Sequence, residues 1–382
     1  MDERTAPPVL AWGPSLAHER AHAIPARAVA CVVVPAWVAS RLVAALALAV
    51  IGSTPRGTLD LDALTSWDSN WYLRIAQHGY GPSHLPTPWQ VGPAHWTTWP
   101  FFPLHPALAR VLMTIGVPDR GALLVVNNAA FFVALIGLHR LARRHVGEAG
   151  AAYAVWIMAL FPGSITSVMG YSGGLFAAGS VWAFARAEER RYGLAGAAML
   201  AAASSRPNGA LVLIALVPMA IGLARRSGDR PVRAALLVAG PSAAFLAAWC
   251  GWCARVTGDP LVFLHAKRAW DEVTLVDFLH HPLAGNSTVH IFLALVALMA
   301  VGLAVRRLPR TWLVLVVVAL GPSLVLGVTG LGRYAAEAFP VSIALASVLT
   351  RVPRVLVAGY FVASAAGLMI FGSLVTHARY VP

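Results

Sequence analysis

The sequence predicts an all-α, polytopic integral membrane protein with about eleven transmembrane helices of roughly 20 residues each, joined by short loops. Three observations lead there. Hydrophobic residues make up 58% of the 382 and charged residues only 12%, about half the charged share of a soluble domain. The mean hydropathy is +0.68. The apolar residues fall in long runs, and the linkers between many of them are rich in arginine. A net charge of +13 is then explained by arginines at helix ends facing anionic lipid, not by nucleic acid. Lys267 is the only lysine among the 29 Lys and Arg residues, and alanine is abundant; this reads as GC-rich codon usage and a bacterial plasma membrane. Cys31, Cys250 and Cys253 cannot build a disulfide framework. Cys250-Gly-Trp-Cys253 has redox spacing but closes an apolar run with no βαβ pattern, so both cysteines are read as packing residues.

Residues 1–27 are polar and contain prolines, with no cleavable signal peptide evident, and are expected to form a cytoplasmic tail. A single transmembrane domain then covers 28–375, and 376–382 form a C-terminal tail. The first span, 28–50, carries Arg41. A central arginine costs about 2.5–3.5 kcal/mol on insertion scales, so it should face the bundle or snorkel. Residues 52–100 form a first outer loop. Its most informative part is Ser66 to Tyr80, where Asp68 lies among Trp67, Asn70, Trp71 and Tyr72. On a helix Trp67, Trp71, Ile75 and His78 fall at i, i+4, i+8 and i+11, one stripe that an interfacial helix would press into the headgroup layer. The rest of the loop holds prolines, Trp89, Trp96 and Trp99, with His84 and His95 too isolated for a metal site. Asp60-Leu61-Asp62 has the spacing of a nucleotide-sugar metal motif but sits in an irregular loop. No metal or cofactor is expected.

Further apolar runs follow at 121–139, 149–169, 171–187, 193–205, 208–224, 234–253, 288–305, 311–328, 336–350 and 355–375. The linkers 140–145, 188–192, 225–233, 306–310 and 351–354 are basic, so the positive-inside rule places them all in the cytoplasm. The stretches 52–100, 164–171, 254–287 (a second outer loop) and 329–335 then face outward. This parity works only if 101–116 lies in the interface instead of spanning. The runs 193–205 and 208–224 meet at Arg206-Pro207-Asn208-Gly209, either a tight hairpin or a broken helix.

The outward elements resemble one family. Trp67-Asp68-x-x-Trp71-Tyr72-x-x-Ile75-Ala76-x-x-Gly79-Tyr80 and Phe101-Phe102-Pro103-Leu104-x-Pro106 open the series. Phe161-Pro162-x-Ser164, Tyr171-Ser172-x-x-Leu175-Phe176, Ser205-Arg206-x-Asn208-Gly209 and Gly332-Arg333-Tyr334 with Phe339-Pro340 complete it. In this order they are similar to the PIG-V family (GPI mannosyltransferase II-like) and its bacterial relatives. The resemblance implies a GT-C glycosyltransferase that moves a sugar, usually mannose, from a polyprenyl-phosphate carrier with inversion, outside the cytoplasm. Two positions depart from it. The family's Tyr-Ser-Glu is Tyr171-Ser172-Gly173 here, and an aromatic usual before Pro106 is His105.

Inverting transfer needs a base for the acceptor hydroxyl, and Asp68 is the candidate. It needs cations for the leaving phosphate, and the outward candidates are Arg333, Arg206, Lys267 and Arg268. Trp67, Asn70, Trp71, Tyr72, His105, Tyr171 and Tyr334 are the candidate substrate-binding residues. The expected partners are the lipid-linked sugar donor, a glycolipid, lipoglycan or protein acceptor, and membrane lipids, with no nucleic acid. A transporter or flippase would instead gather polar groups at the midplane, where only Arg41, Asn127 and Asn128 lie. An inactive scaffold of the same fold is the other alternative, raised by Gly173.

Overall fold

The computed structural model describes residues 26–51, 61–81, 97–267, 274–280 and 287–376. Every regular element among them is helical. The main helices are α1 (Ala26–Val50), α2 (Asp68–His78), α3 (Leu104–Thr114), α4 (Asp119–Leu160), α5 (Gly173–Glu188) and α6 (Tyr192–Ser205). Then come α7 (Pro207–Ser227), α8 (Pro231–Thr257), α9 (Ser287–Ala304), α10 (Arg310–Leu326), α11 (Leu331–Glu337), α12 (Phe339–Leu349) and α13 (Arg354–Thr376). Six of the described helices, α1, α4, α7, α8, α9 and α13, are long and apolar enough to cross a membrane. This is a multi-pass integral membrane protein. Its outer surface fits that medium: on α1, Leu42, Leu46 and Val50 recur every four residues at 64, 50 and 60% exposure, a stripe that only lipid would cover favourably.

The chain doubles back inside α4. Gly147 has φ 71° and ψ −178°, a conformation that costs a residue with a Cβ dearly. Asn127, before it, donates to the carbonyls of Thr166 (2.8 Å) and Met169 (2.7 Å), well after it, so 119–146 and 148–160 run in opposite directions. Arg143 and Glu148 close the turn at 3.2 Å. Gly147→Ala should lower stability by at least about 1 kcal/mol, read as a lower melting temperature in detergent.

All five basic linkers meet at one end of the bundle. Arg144 bonds Glu189 (2.7 Å), His145 bonds Glu188 (2.9 Å) and Arg190 bonds Asp229 (3.0 Å), while His145, Arg307 and Arg351 line one cavity. From there α5 runs about 24 Å, at 1.5 Å per residue, to the opposite end, where Gly173 follows Ser172. The turn between α6 and α7 lies at that far end too. Arg206 there is extended (φ −165°, ψ 156°) and a 3-10 turn, Pro207–Val212, carries the chain back, so of the two expected arrangements the tight hairpin is observed.

Two expectations change. The 329–335 stretch is not a plain loop, because most of it forms α11. The 11 residues of α3 extend about 16 Å, far short of a ~30 Å hydrocarbon core, so this segment is too short to span, in keeping with the parity of the basic linkers. The stripe on α2 is not the one the spacing suggested. Trp67 precedes the helix with φ 56°, and His78 is exposed. Trp71, Tyr72, Ile75 and Ala76 are instead buried in protein with Phe101, Ala109, Ala122 and Leu123, since α3 and α4 cover the face assigned to headgroups.

Arg41 faces the bundle. Its guanidinium donates to Asn128 Oδ1 and to the Ser167 carbonyl, both at 2.9 Å, and lies over the Trp37 and Phe131 rings.

Candidate active site

The far end of the bundle holds two carboxylate–guanidinium pairs, one buried and one partly buried, and α11 contributes one member to each. Arg333 and Glu337 lie one helical turn apart, on one face. Residues so spaced commonly pair with each other; here each takes a partner from a different element. Arg333 Nη1 donates to Asp68 Oδ2 at 2.9 Å. Glu337 accepts from Arg206 through both oxygens, Nη1 to Oε2 at 2.5 Å and Nη2 to Oε1 at 3.3 Å. The side chains are 9% (Arg333), 18% (Asp68), 8% (Arg206) and 6% (Glu337) exposed.

Asp68 is the first residue of α2, aimed by an unusual residue before it. Trp67 has φ 56° and ψ −123°, rare for a bulky side chain; such strain costs of order 1–3 kcal/mol and tends to mark functional sites. Arg333 is fixed from other sides as well. Its Nη2 donates to the Tyr334 hydroxyl at 3.1 Å, and its plane lies 5.5 Å from the Tyr171 ring and 5.0 Å from that of Tyr334. Tyr334 also meets Arg206 at 5.9 Å, so one ring touches both guanidinium groups.

Tyr171 and Ser172 are gripped between α2, α3 and Arg206. The His105 Nε2 lies 3.0 Å from the Tyr171 carbonyl. Burial first, and Arg206 second, push the His105 pKa down to about 3, so at neutral pH the ring is uncharged and Nε2 carries the proton donated to that carbonyl. Tyr72 stacks on His105 at 4.8 Å and its hydroxyl shares a 2.7 Å hydrogen bond with Ser172 Oγ. Burial raises the Tyr72 pKa to about 12, leaving it protonated. Arg206 Nε completes the grip, donating to Ser172 Oγ at 3.4 Å.

Of the residues singled out in the sequence, Asp68, Arg333, Arg206, Tyr72, His105, Tyr171 and Tyr334 are therefore gathered in one cluster. Trp71 is 2% exposed and stacks on Phe101, so it fastens α2 down and presents no open face. Asn70 is half-buried on the same helix, and Trp67 packs against the main core. Lys267 ends a short helix, Val262–Lys267, whose Phe263 belongs to a separate aromatic cluster with Trp99, Phe102 and Trp249. Arg268, His84, His95 and Asp60 lie outside the described residues; Asp62 pairs with Arg120 at 3.5 Å. Glu337 was not anticipated. Its four-residue spacing from Arg333 suggests a pair within the helix, not the contact with Arg206 that is observed.

No family model matches the chain, and no curated protein does. Solved structures do resemble it. ArnT from Cupriavidus metallidurans, bound to undecaprenyl phosphate, aligns with TM-score 0.52 and 14% identity over 90% of this chain and 75% of that one. The apo oligosaccharyltransferase of Archaeoglobus fulgidus aligns with TM-score 0.49 and 14% identity over 94% of this chain, which spans 57% of that protein's length. The likeness to ArnT is one of fold: an all-helical, multi-pass membrane architecture, as the sequence leads one to expect.

Proposed function

We propose that the chain is an inverting membrane glycosyltransferase that takes a sugar from a polyprenyl-phosphate carrier and passes it to an acceptor hydroxyl. One observation carries the reading: a carboxylate with residual exposure, Asp68, is held 2.9 Å from a buried arginine, and a second buried arginine, Arg206, lies against the same Tyr334 ring. The pairs occupy the end of the bundle opposite the basic linkers. By the positive-inside rule that end faces away from the cytoplasm. The fold is shared with a protein solved with undecaprenyl phosphate, and the motif resemblance to the PIG-V family favours mannose as the sugar.

In the reaction the acceptor oxygen attacks the anomeric carbon from the side opposite the phosphate. The bond from carbon to phosphate oxygen breaks as the new glycosidic bond forms, which inverts the centre. Asp68 takes the acceptor's proton through the oxygen that Arg333 does not hold. Arg333 and Arg206 face the charge that builds on the leaving polyprenyl phosphate; guanidinium groups suit it because their planar donors match phosphate oxygens in pairs. Tyr72, buried and protonated, keeps Ser172 in place through its hydroxyl.

A transport reading would need labile polar groups at mid-membrane. The candidates are instead tied to backbone: Asn127 to Thr166 and Met169, Asn128 to Leu124 and Val168, Arg41 to Ser167. Purified protein incubated with radiolabelled polyprenyl-phosphate-mannose and a membrane extract should move label into a new product. If label stays on the carrier across mannose, glucose and galactose donors, the proposal is wrong.

A further inference from the structure

Gly173 is the one departure within the site motifs that the mechanism leaves unused. It opens α5 directly after Ser172. A Cβ on it would run into Glu337 Oε1 and stand 3.6 Å from Arg206 Nη2. The Glu337 carboxylate therefore lies where a side chain at 173 would begin, and both of its oxygens are taken by Arg206. Three contacts hold Arg206, two to Glu337 and one to Ser172, which leaves further guanidinium N–H groups for an incoming oxyanion.

Stability does not explain the pair. Burying two charges costs about what their attraction returns, and apolar replacements of similar volume are often neutral or better. Orientation does explain it. An arginine on an extended residue between two helices has many rotamers, and a bidentate carboxylate selects one of them.

We propose that Glu337 is a positioning residue that acts through Arg206: from α11 it supplies the carboxylate that α5 lacks at 173, and it holds the guanidinium ready for the phosphate of the lipid carrier. The inference rests on the donor-phosphate reading of Arg206 above, and it removes the ground for regarding the chain as an inactive scaffold.

The test exchanges the acid between the two positions. Undecaprenyl phosphate is titrated into nanodisc-reconstituted protein, with tryptophan fluorescence reporting binding, and melting temperature is recorded in parallel. Glu337→Ala should weaken binding roughly tenfold or more, the loss of one charge-assisted contact set. Gly173→Glu alone should weaken it as well, since the two carboxylates collide. The double variant Gly173→Glu/Glu337→Ala should regain most of the lost affinity. If Glu337→Ala does not fold, Glu337→Gln, of nearly equal volume, takes its place in both proteins. Wild-type affinity in the folded single variant at 337, or a double variant that binds no better than it, overturns the inference. So does a double variant that regains its melting temperature without its affinity, because that marks a packing role only. These results leave the donor reading intact provided the wild type binds the carrier; a wild type that does not bind it removes both.

Discussion

Asp68→Asn should lower the rate of sugar transfer by about 10²- to 10⁴-fold, the range general-base catalysis contributes, while leaving donor affinity within a few-fold of wild type. Asparagine keeps the shape of the carboxylate and can offer its amide oxygen to Arg333 Nη1, now 2.9 Å from Asp68 Oδ2. It cannot take a proton from an attacking hydroxyl. The loss should therefore fall on kcat and on kcat/KM together, the mark of an interaction made only in the transition state. The substitution also leaves Arg333, whose side chain is 9% exposed, without its countercharge. Removing one member of a buried pair commonly costs about 3–5 kcal/mol, so single-turnover rates should be compared only in protein shown to be folded. Asp68→Glu separates the effects: it restores the charge but moves the carboxylate about one methylene, and should recover stability more fully than rate. Undiminished transfer by folded Asp68→Asn would remove Asp68 as the base.

Much of this was legible in the chain because membrane burial writes a strong signal. Apolar runs and arginine-rich linkers gave the helices and their ends, and the linkers do converge through Arg144–Glu189 and Arg190–Asp229. The aromatic stripe on α2 misled for a physical reason. Periodicity reports which side of a helix is apolar, not whether lipid or protein covers it, and α3 with Phe101 covers Trp71 and Tyr72. Gly147 was invisible because a glycine in an apolar run is common in membrane helices, and nothing local distinguishes the one with φ 71°. Glu337 was passed over because sequence does not show which residue of a distant segment will neutralise Arg206. The contact joins residues 131 apart in the chain.

Arg333→Lys should reduce kcat/KM for the lipid-linked donor by about 10²- to 10³-fold, the usual cost of losing a donor aimed at developing charge. The charge is conserved, so the effect would come from geometry. Arg333 bonds Asp68 through one terminal nitrogen and the Tyr334 hydroxyl through the other, and its flat face rests against the rings of Tyr171 and Tyr334. An ammonium is a point charge on a flexible stem and cannot keep both hydrogen bonds and both ring contacts at once. Since Arg333 also orients Asp68, the two substitutions should not be independent. Combining Arg333→Lys with Asp68→Asn should cost much less than the product of the single losses, because each already disables the other's partner. Single-turnover rates of the four proteins at saturating donor measure that coupling. Strictly multiplicative losses would mean that the arginine meets phosphate without holding the carboxylate, and the two roles assigned to Arg333 would have to be separated.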